Sequence, residues 1–136
     1  IQVKMVTGDH EKTARVIAEK IGIMESDSIV KTGEQFEAMS DDEIRAIAPQ
    51  LRVLARFNPL QKERLVRLLQ SMNMVVAVTG DGTNDAPALK RADVGISMGL
   101  RGTDIAKEAS DVVLVDDNFG SIVRAVHWGR ALYENV

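Results

Sequence analysis

Met74-Val75-Val76-Ala77-Val78-Thr79-Gly80-Asp81-Gly82-Thr83-Asn84-Asp85-Ala86-Pro87-Ala88-Leu89-Lys90 runs from apolar strand through polar loop into helix without a break. Met74 to Val78 is a continuous β-favouring run, the pattern of a strand covered on both faces. Gly80 to Asp85 reads as a loop and Asn84 to Arg91 as a short helix. In sheets built this way, ligands gather at the carboxyl ends of the strands. Asp81 and Asp85 put two carboxylates into that one tight loop, where they repel each other unless a cation lies between them. Oxygen ligands with open positions suit Mg²⁺, which keeps several waters and takes one or two carboxylates plus a phosphoryl oxygen. Gly80 and Gly82 let the backbone approach such a group closely, and Asn84 adds hydrogen-bonding capacity. The plainer alternative is a polar turn with a helix cap. A bare Gly-Asp-Gly would favour it; the full string does not.

Outward from this stretch, strands and helices alternate. Val3 to Val6 reads as a strand ended by Thr7-Gly8-Asp9, with Asp9 as N-cap of a helix. Ala14, Ile17, Ala18 and Ile21 form the buried stripe of that helix. Gly22 stops it. Ile29 to Lys31 reads as a short strand and Thr32-Gly33 as a turn. Ser40 with Glu43 makes a capping box for a helix carrying Ile44, Ile47, Ala48 and Leu51 on one face. Val53 to Phe57 is the next strand, and Asn58-Pro59 opens a helix with Leu65, Leu68, Leu69 and Met72 inward. Beyond the central stretch come a strand at Val94 to Met98, a helix at Thr103 to Ala109, a strand at Val112 to Val115 and a helix from Ser121. This alternation predicts an α/β three-layer sandwich, a mainly parallel sheet with helices on both faces. Repeats, low-complexity tracts and linkers are absent, so 1–136 reads as one domain.

Composition narrows the function. A net charge of −3 gives no broad basic surface, so nucleic acid is not an expected partner. The longest apolar run, Met74 to Val78, falls far short of the roughly 18 residues of a membrane span. With no cysteine, disulfides and thiolate metal sites are excluded. The first residue is not Met and opens a strand-like run, which suggests a piece of a longer chain.

Further candidates carry weaker signals. Thr7 and Gly8 offer a hydroxyl and an unobstructed N–H ahead of a helix, a seat for a phosphoryl oxygen, although taken alone they read better as an ordinary helix cap. Lys62 lies early in its helix, where a cation opposes the dipole unless it faces an anion across the crevice. Spacing alone does not choose among Lys62, Arg64 and Arg67. His10 and His127 form no local metal motif, and Ser97 and Ser121 have no nearby His for a triad. Asp116-Asp117 reads as a helix cap with Asn118.

Thr79 to Lys90 (TGDGTNDAPALK) resembles the hinge motif of the P-type ATPases, members of the haloacid dehalogenase superfamily. MVTGD at Met5–Asp9, ARFNPLQK at Ala55–Lys62 and DDNF at Asp116–Phe119 are similar to that family in the same order. DDNF tilts the likeness toward Ca²⁺, Na⁺/K⁺ and H⁺-type pumps. Thr83 stands where the family pattern has valine. The resemblance covers essentially the whole chain and implies the C-terminal part of a phosphorylation domain. It implies Asp81 as principal Mg²⁺ ligand with Asp85 and Asn84 completing the loop. Thr7, Gly8, Lys62 and Asn84 are implied as phosphate-binding, and Lys62, Thr7 and Asp85 as catalytic.

The parent activity so implied is ATP-driven cation transport through an aspartyl-phosphate, with Mg²⁺ as cofactor and ATP as substrate. Its expected place is a cytoplasmic domain of an integral membrane protein. The nucleophile motif Asp-Lys-Thr-Gly-Thr does not occur here; in Thr79-Gly80-Asp81-Gly82-Thr83, Thr79 stands at the nucleophile's place. The expected partners are therefore an upstream segment bearing that aspartate and a nucleotide-binding domain, and a transmembrane domain reached through the last helix. The isolated chain is expected to be inactive. The sheet is expected to lack the central strand between those of Thr7 and Thr79, which then pair with each other or accept a second copy as a homodimer. A free-standing phosphatase or a non-catalytic regulatory module are the alternatives; an Asp116 or Asp117 facing the Asp81 crevice would favour the phosphatase.

Overall fold

A computed structural model describes residues 1–136. Its strands form two three-stranded sheets rather than one, and every pairing is parallel. The first has β1 (Met5–Val6), β2 (Ile29–Thr32) and β3 (Leu51–Ala55) in the order β1-β3-β2. The second has β4 (Ala77–Gly80), β5 (Val94–Met98) and β6 (Val112–Leu114) in sequence order. The helices are α1 (Glu11–Lys20), α2 (Gly33–Glu37), α3 (Asp41–Ile47), α4 (Pro59–Ser71), α5 (Ala86–Arg91), α6 (Asp104–Ala109) and α7 (Gly120–Glu134). β1 and β4 are each paired on one edge only and not with each other.

The main core joins β3 to α2, α3 and α4. Phe36, Ile44, Leu51, Leu54 and Leu68 are fully buried there, with Leu65 and Leu69 beside them. The α4 stripe therefore lies where its spacing predicted. Lys4 sits beside this core. Lys4 Nζ donates to the carbonyls of Ala48 (2.6 Å) and Leu51 (2.7 Å). Burial, with the nearby Arg52 guanidinium adding to it, lowers the Lys4 pKa to about 8.

Several boundaries differ from expectation. α1 rests on β3 through Ala14 and Ala18, both fully buried against Val53 and Ala55. Its isoleucines, Ile17 and Ile21, ride outside that narrow seam and are exposed. The α1 N-cap is His10, not Asp9: His10 Nδ1 accepts the Lys12 N–H. Asp9 is committed instead to the β3 end, where its carbonyl accepts from Arg56 N–H. Leu51 opens β3 rather than closing α3, and β3 ends at Ala55 because Arg56 turns to φ 53°. Thr32-Gly33 is a helix start, not a turn: Thr32 and Gln35 form a complete capping box. At Ser40 only half a box forms, Ser40 Oγ accepting from Glu43 N–H. Met74 to Val76 lie outside β4, and Val75 is exposed, because this strand is an edge and not the covered interior its composition suggested.

Carboxylates brace the chain around these elements. Asp93 Oδ2 accepts from Val76 N–H at 2.8 Å, and Asp111 Oδ2 from Gly95 N–H at 2.8 Å. The Val76 N–H holds the Asp93 pKa below its usual value; the Arg64 guanidinium does the same for Asp41. A carboxyl depressed in the fold stabilises it fully above the ordinary value near 3.8, and that contribution disappears as pH falls through the folded value. Lys4 runs the other way: between about pH 8 and 10.5 the unfolded chain holds a proton that the folded chain has released, so stability rises with pH. Denaturant melts across these ranges should show an acid-side loss that Asp93→Asn reduces and an alkaline-side gain that Lys4→Met removes. An unchanged alkaline slope in Lys4→Met would show that Lys4 is not the group responsible.

Candidate functional site

The two sheets meet at a cleft of about 360 Å³ lined by Thr7, Gly8, Lys62, Thr79, Gly80, Asp81, Asn84 and Asp85, with Val6, Met98 and Phe119 as its apolar wall. Thr7 and Gly8 come from the end of β1, Thr79 and Gly80 from the end of β4, and Lys62 from the first turn of α4. Every residue singled out from the sequence for metal or phosphate thus lies on one surface. Val6, Thr79, Met98 and Phe119 were not singled out as site residues; Phe119 was within reach, as the last residue of DDNF.

α4 owes its starting position to Asn58, Pro59 and Gln61. Asn58 Oδ1 accepts from Gln61 N–H at 2.9 Å while Gln61 Oε1 accepts from Asn58 N–H at 3.1 Å. The buried Gln61 amide also donates to the Gly33 carbonyl. With the helix start fixed on both sides, Lys62 points into the cleft and its Nζ meets Asp85 Oδ1 at 2.7 Å, the two side chains being 12% and 15% exposed. Spacing could not choose among the three cations of this helix; their partners do. Arg64 donates to Asp41 and to the carbonyls of Phe36 and Met39, with its guanidinium over the Phe36 ring. Arg67 also faces Asp41, at 3.5 Å.

The loop after β4 is tightly folded. Asp85 Oδ2 accepts from Gly82 N–H at 3.2 Å, closing Gly82–Asp85 on itself. A Cβ on Gly80 would fall 2.6 Å from Asp85 Cβ, and one on Gly82 would collide with Asn84 Oδ1. Both glycines are therefore set by contact with neighbouring side chains. The Asp81 carboxylate makes no hydrogen bond or ion pair within the chain, while its carbonyl accepts from Thr103 N–H at 2.9 Å. Across the cleft, Thr7 Oγ1 accepts from Asp9 N–H, which leaves its own proton free, and Gly8 N–H is unpaired and open.

No group of three or more acidic or histidine side chains gathers in a metal-holding cluster. The donor set is one free carboxylate, a second already shared between an ammonium and an amide, and the Asn84 side chain. That set fits an ion that keeps most of its waters and completes its shell with an outside oxygen, as Mg²⁺ does. Asp116 and Asp117 do not face this cleft. Asp116 Oδ1 accepts from Asn118 N–H, and both Asp117 oxygens are taken by Leu100 and Arg101 amides. Ser97 is buried and paired with Ser110 Oγ.

Residues 62–126 match the haloacid dehalogenase-like hydrolase family. Over its whole length the chain is 54% identical to Calcium-transporting ATPase 2 of Schizosaccharomyces pombe. This chain is a homologue of the P-type ATPases. It is also 53% identical to the plasma membrane-type Calcium-transporting ATPase 7 of Oryza sativa subsp. japonica, and 51% to the Putative calcium-transporting ATPase 11, plasma membrane-type, of Arabidopsis thaliana. It spans 10%, 14% and 13% of these relatives, respectively. Among solved structures, the catalytic domain of the CPx-ATPase CopB-B superposes with a TM-score of 0.67 at 24% identity, over 90% of this chain and 38% of that one. The α/β architecture of this P-type homologue is thus the haloacid dehalogenase-like one. No helix is long and apolar enough to cross a membrane.

The loop geometry separates the two glycines. Gly80→Ala pushes a methyl against Asp85 Cβ, which cannot move without the backbone, and overpacking of this kind costs about 1–3 kcal/mol. Gly82→Ala meets only the swinging end of Asn84 and should cost clearly less. Urea melts of the two variants should therefore rank Gly80→Ala as the less stable.

Proposed function

We propose that this chain is the C-terminal part of a phosphorylation domain, supplying the Mg²⁺-binding and phosphate-stabilising groups of an ATP-driven cation pump. The convergence of Thr7, Gly8, Lys62, Asp81, Asn84 and Asp85 on one cleft carries the reading. The names of the relatives make Ca²⁺ the proposed cargo. Their much greater length is consistent with the remaining parts lying elsewhere in a longer chain.

Phosphoryl transfer spreads negative charge over the equatorial oxygens, and catalysis consists mostly of positioning and neutralising that charge. Lys62 is held at the cleft by Asp85, so its ammonium stands ready as a donor beside a phosphoryl group. The Thr7 hydroxyl and the free Gly8 N–H donate from the opposite wall, and Asn84 from the loop. Asp81 offers the unpaired carboxylate for Mg²⁺, which when bound supplies further charge neutralisation at the phosphoryl oxygens. Asp85, with lone pairs left beyond Lys62 and Gly82, serves the hydration shell of that ion.

The nucleophile is proposed to be an aspartate upstream, on a strand that fits between β1 and β4. Support for this comes from the unpaired outer edges of those two strands, since bare edges are normally covered. α7 is proposed to lead toward a membrane stalk, which puts the cleft on the cytoplasmic side of an integral membrane protein. A free-standing phosphatase is disfavoured, because Asp116 and Asp117 are engaged away from the cleft.

Three measurements test the reading. The coding sequence ahead of Ile1 should contain Asp-Lys-Thr-Gly-Thr; its absence sinks the pump assignment. Mg²⁺ titration should shift the amide resonances of Thr79 to Asp85, and Asp81→Ala should abolish the shifts while leaving the fold intact. The chain alone should show no ATPase turnover.

A further inference from the structure

The Asp81 loop is held from behind by a hydrogen-bonded chain that ends at a residue outside the cleft. The carbonyl of Asp81 accepts from Thr103 N–H at 2.9 Å. Thr103 also caps α6, its Oγ1 accepting from Ala106 N–H, and that oxygen lies 3.5 Å from Thr83 Oγ1 in the loop itself. The residues before Thr103 form a tight connection out of β5. Gly102 N–H returns to the Met98 carbonyl and Gly99 N–H to the Leu114 carbonyl. A Cβ at Gly102 would collide with the Met98 carbonyl. Between these glycines, Leu100 and Arg101 are exposed and belong to no helix or strand. What fixes them is Asp117: Leu100 N–H donates to Oδ1 at 2.8 Å and Arg101 N–H to Oδ2 at 2.9 Å.

Asp117 is itself unusual in its backbone. It sits at φ 53°, a conformation that costs a non-glycine residue energy and persists only when its surroundings enforce it. Its N–H is tied to the Leu114 carbonyl at 3.2 Å. Helix capping does not explain this arrangement, because the α7 entry is served by others: Asp116 Oδ1 holds Asn118 N–H and Asn118 Oδ1 holds Gly120 N–H. The Asp117 carboxylate is spent wholly on the 100–101 backbone.

We propose that Asp117 is a positioning residue for the Asp81 loop, its carboxylate clamping Leu100 and Arg101 so that the Thr103 amide is delivered to the Asp81 carbonyl. Through that bond it sets where the Asp81 carboxylate stands and how strongly the cleft holds Mg²⁺. The Mg²⁺ consequence rests on the reading of Asp81 given above; the clamp itself does not. Charge-assisted hydrogen bonds from two successive amides are about twice as strong as neutral ones, so a single carboxylate suffices to order a short loop.

Asp117→Asn keeps a residue that tolerates positive φ but replaces one acceptor with a donor facing an amide. Asp117→Gly relaxes the backbone and removes both acceptors. Asp93→Asn is the control, since Asp93 braces Val76 and does not touch the 99–103 connection. In both Asp117 variants, amide hydrogen exchange at Leu100, Arg101 and Thr103 should speed up while the core amides of β3 stay protected. Mg²⁺ affinity, read from Thr79–Asp85 amide shifts, should fall by about tenfold, the usual scale for losing a group that orients a ligand. Asp93→Asn should leave both readouts at wild-type values. Thr103 exchange unchanged in both variants overturns the clamp. Faster Thr103 exchange with unchanged Mg²⁺ affinity overturns its role in metal binding. If the wild type shows no Mg²⁺ shift but Thr103 exchange still accelerates, Asp81 is not the ligand and the clamp stands alone.

Discussion

The contact between Lys62 and Asp85 is the constraint around which the cleft is organised. It joins the helix following β3 to the loop following β4, so it spans the two sheets at the point where their strand ends converge. With both side chains largely shielded, desolvation offsets much of the Coulomb attraction, and such pairs contribute little net stability. Their value is geometric. Asp85 cannot hold Lys62 and the Gly82 N–H together unless the loop is closed, and a side chain on Gly80 would press on Asp85 Cβ and work against that closure. The same pair leaves Asp81 as the loop carboxylate without a partner. Asp81 is exposed, so water rather than the protein solvates its carboxylate, and it lines the same cleft as Lys62.

How far the sequence discloses this depends on the range of the interactions involved. The acidic loop was legible because its glycines, carboxylates and helix start are contiguous, and the relatives bear out the family that this string resembles. The alternation of strands and helices gave the fold class, and the α4 stripe lay where its spacing put it. The choice of Lys62 was not legible from spacing, because it depends on Arg64 and Arg67 being drawn to Asp41, a residue from another helix. α2 was missed although Thr32 and Gln35 carry the signature of a capping box; Gly33 at the first helical position masked it. The division into two sheets was not legible either, since it follows from which strands find partners.

DDNF divides in the same way between local and distant partners. Read locally, its two aspartates and asparagine cap a helix; in the structure the N-cap is Phe119 with no side-chain cap, and Asp116 and Asn118 instead shape the turn that enters α7. Asp117 has its partners sixteen and seventeen positions earlier, on a different connection. One short motif therefore does two jobs, and only the local one can be read without coordinates. Phe119 adds a third, placing an aromatic ring on the wall of the cleft immediately before α7 begins.

α7 is seated only at its beginning. Ile122 packs against the β5–β6 cluster, Val126 is half-buried, and every residue from His127 onward is exposed. At 1.5 Å per residue, the helix from Gly120 to Glu134 is about 22 Å long. Such an element behaves as a cantilever whose fulcrum is the Asp116–Phe119 corner. A tilt of about 10° at that corner displaces the far tip by roughly 4 Å, by the same rise per residue. Small adjustments beside the cleft would thus be magnified at the distant end of the rod.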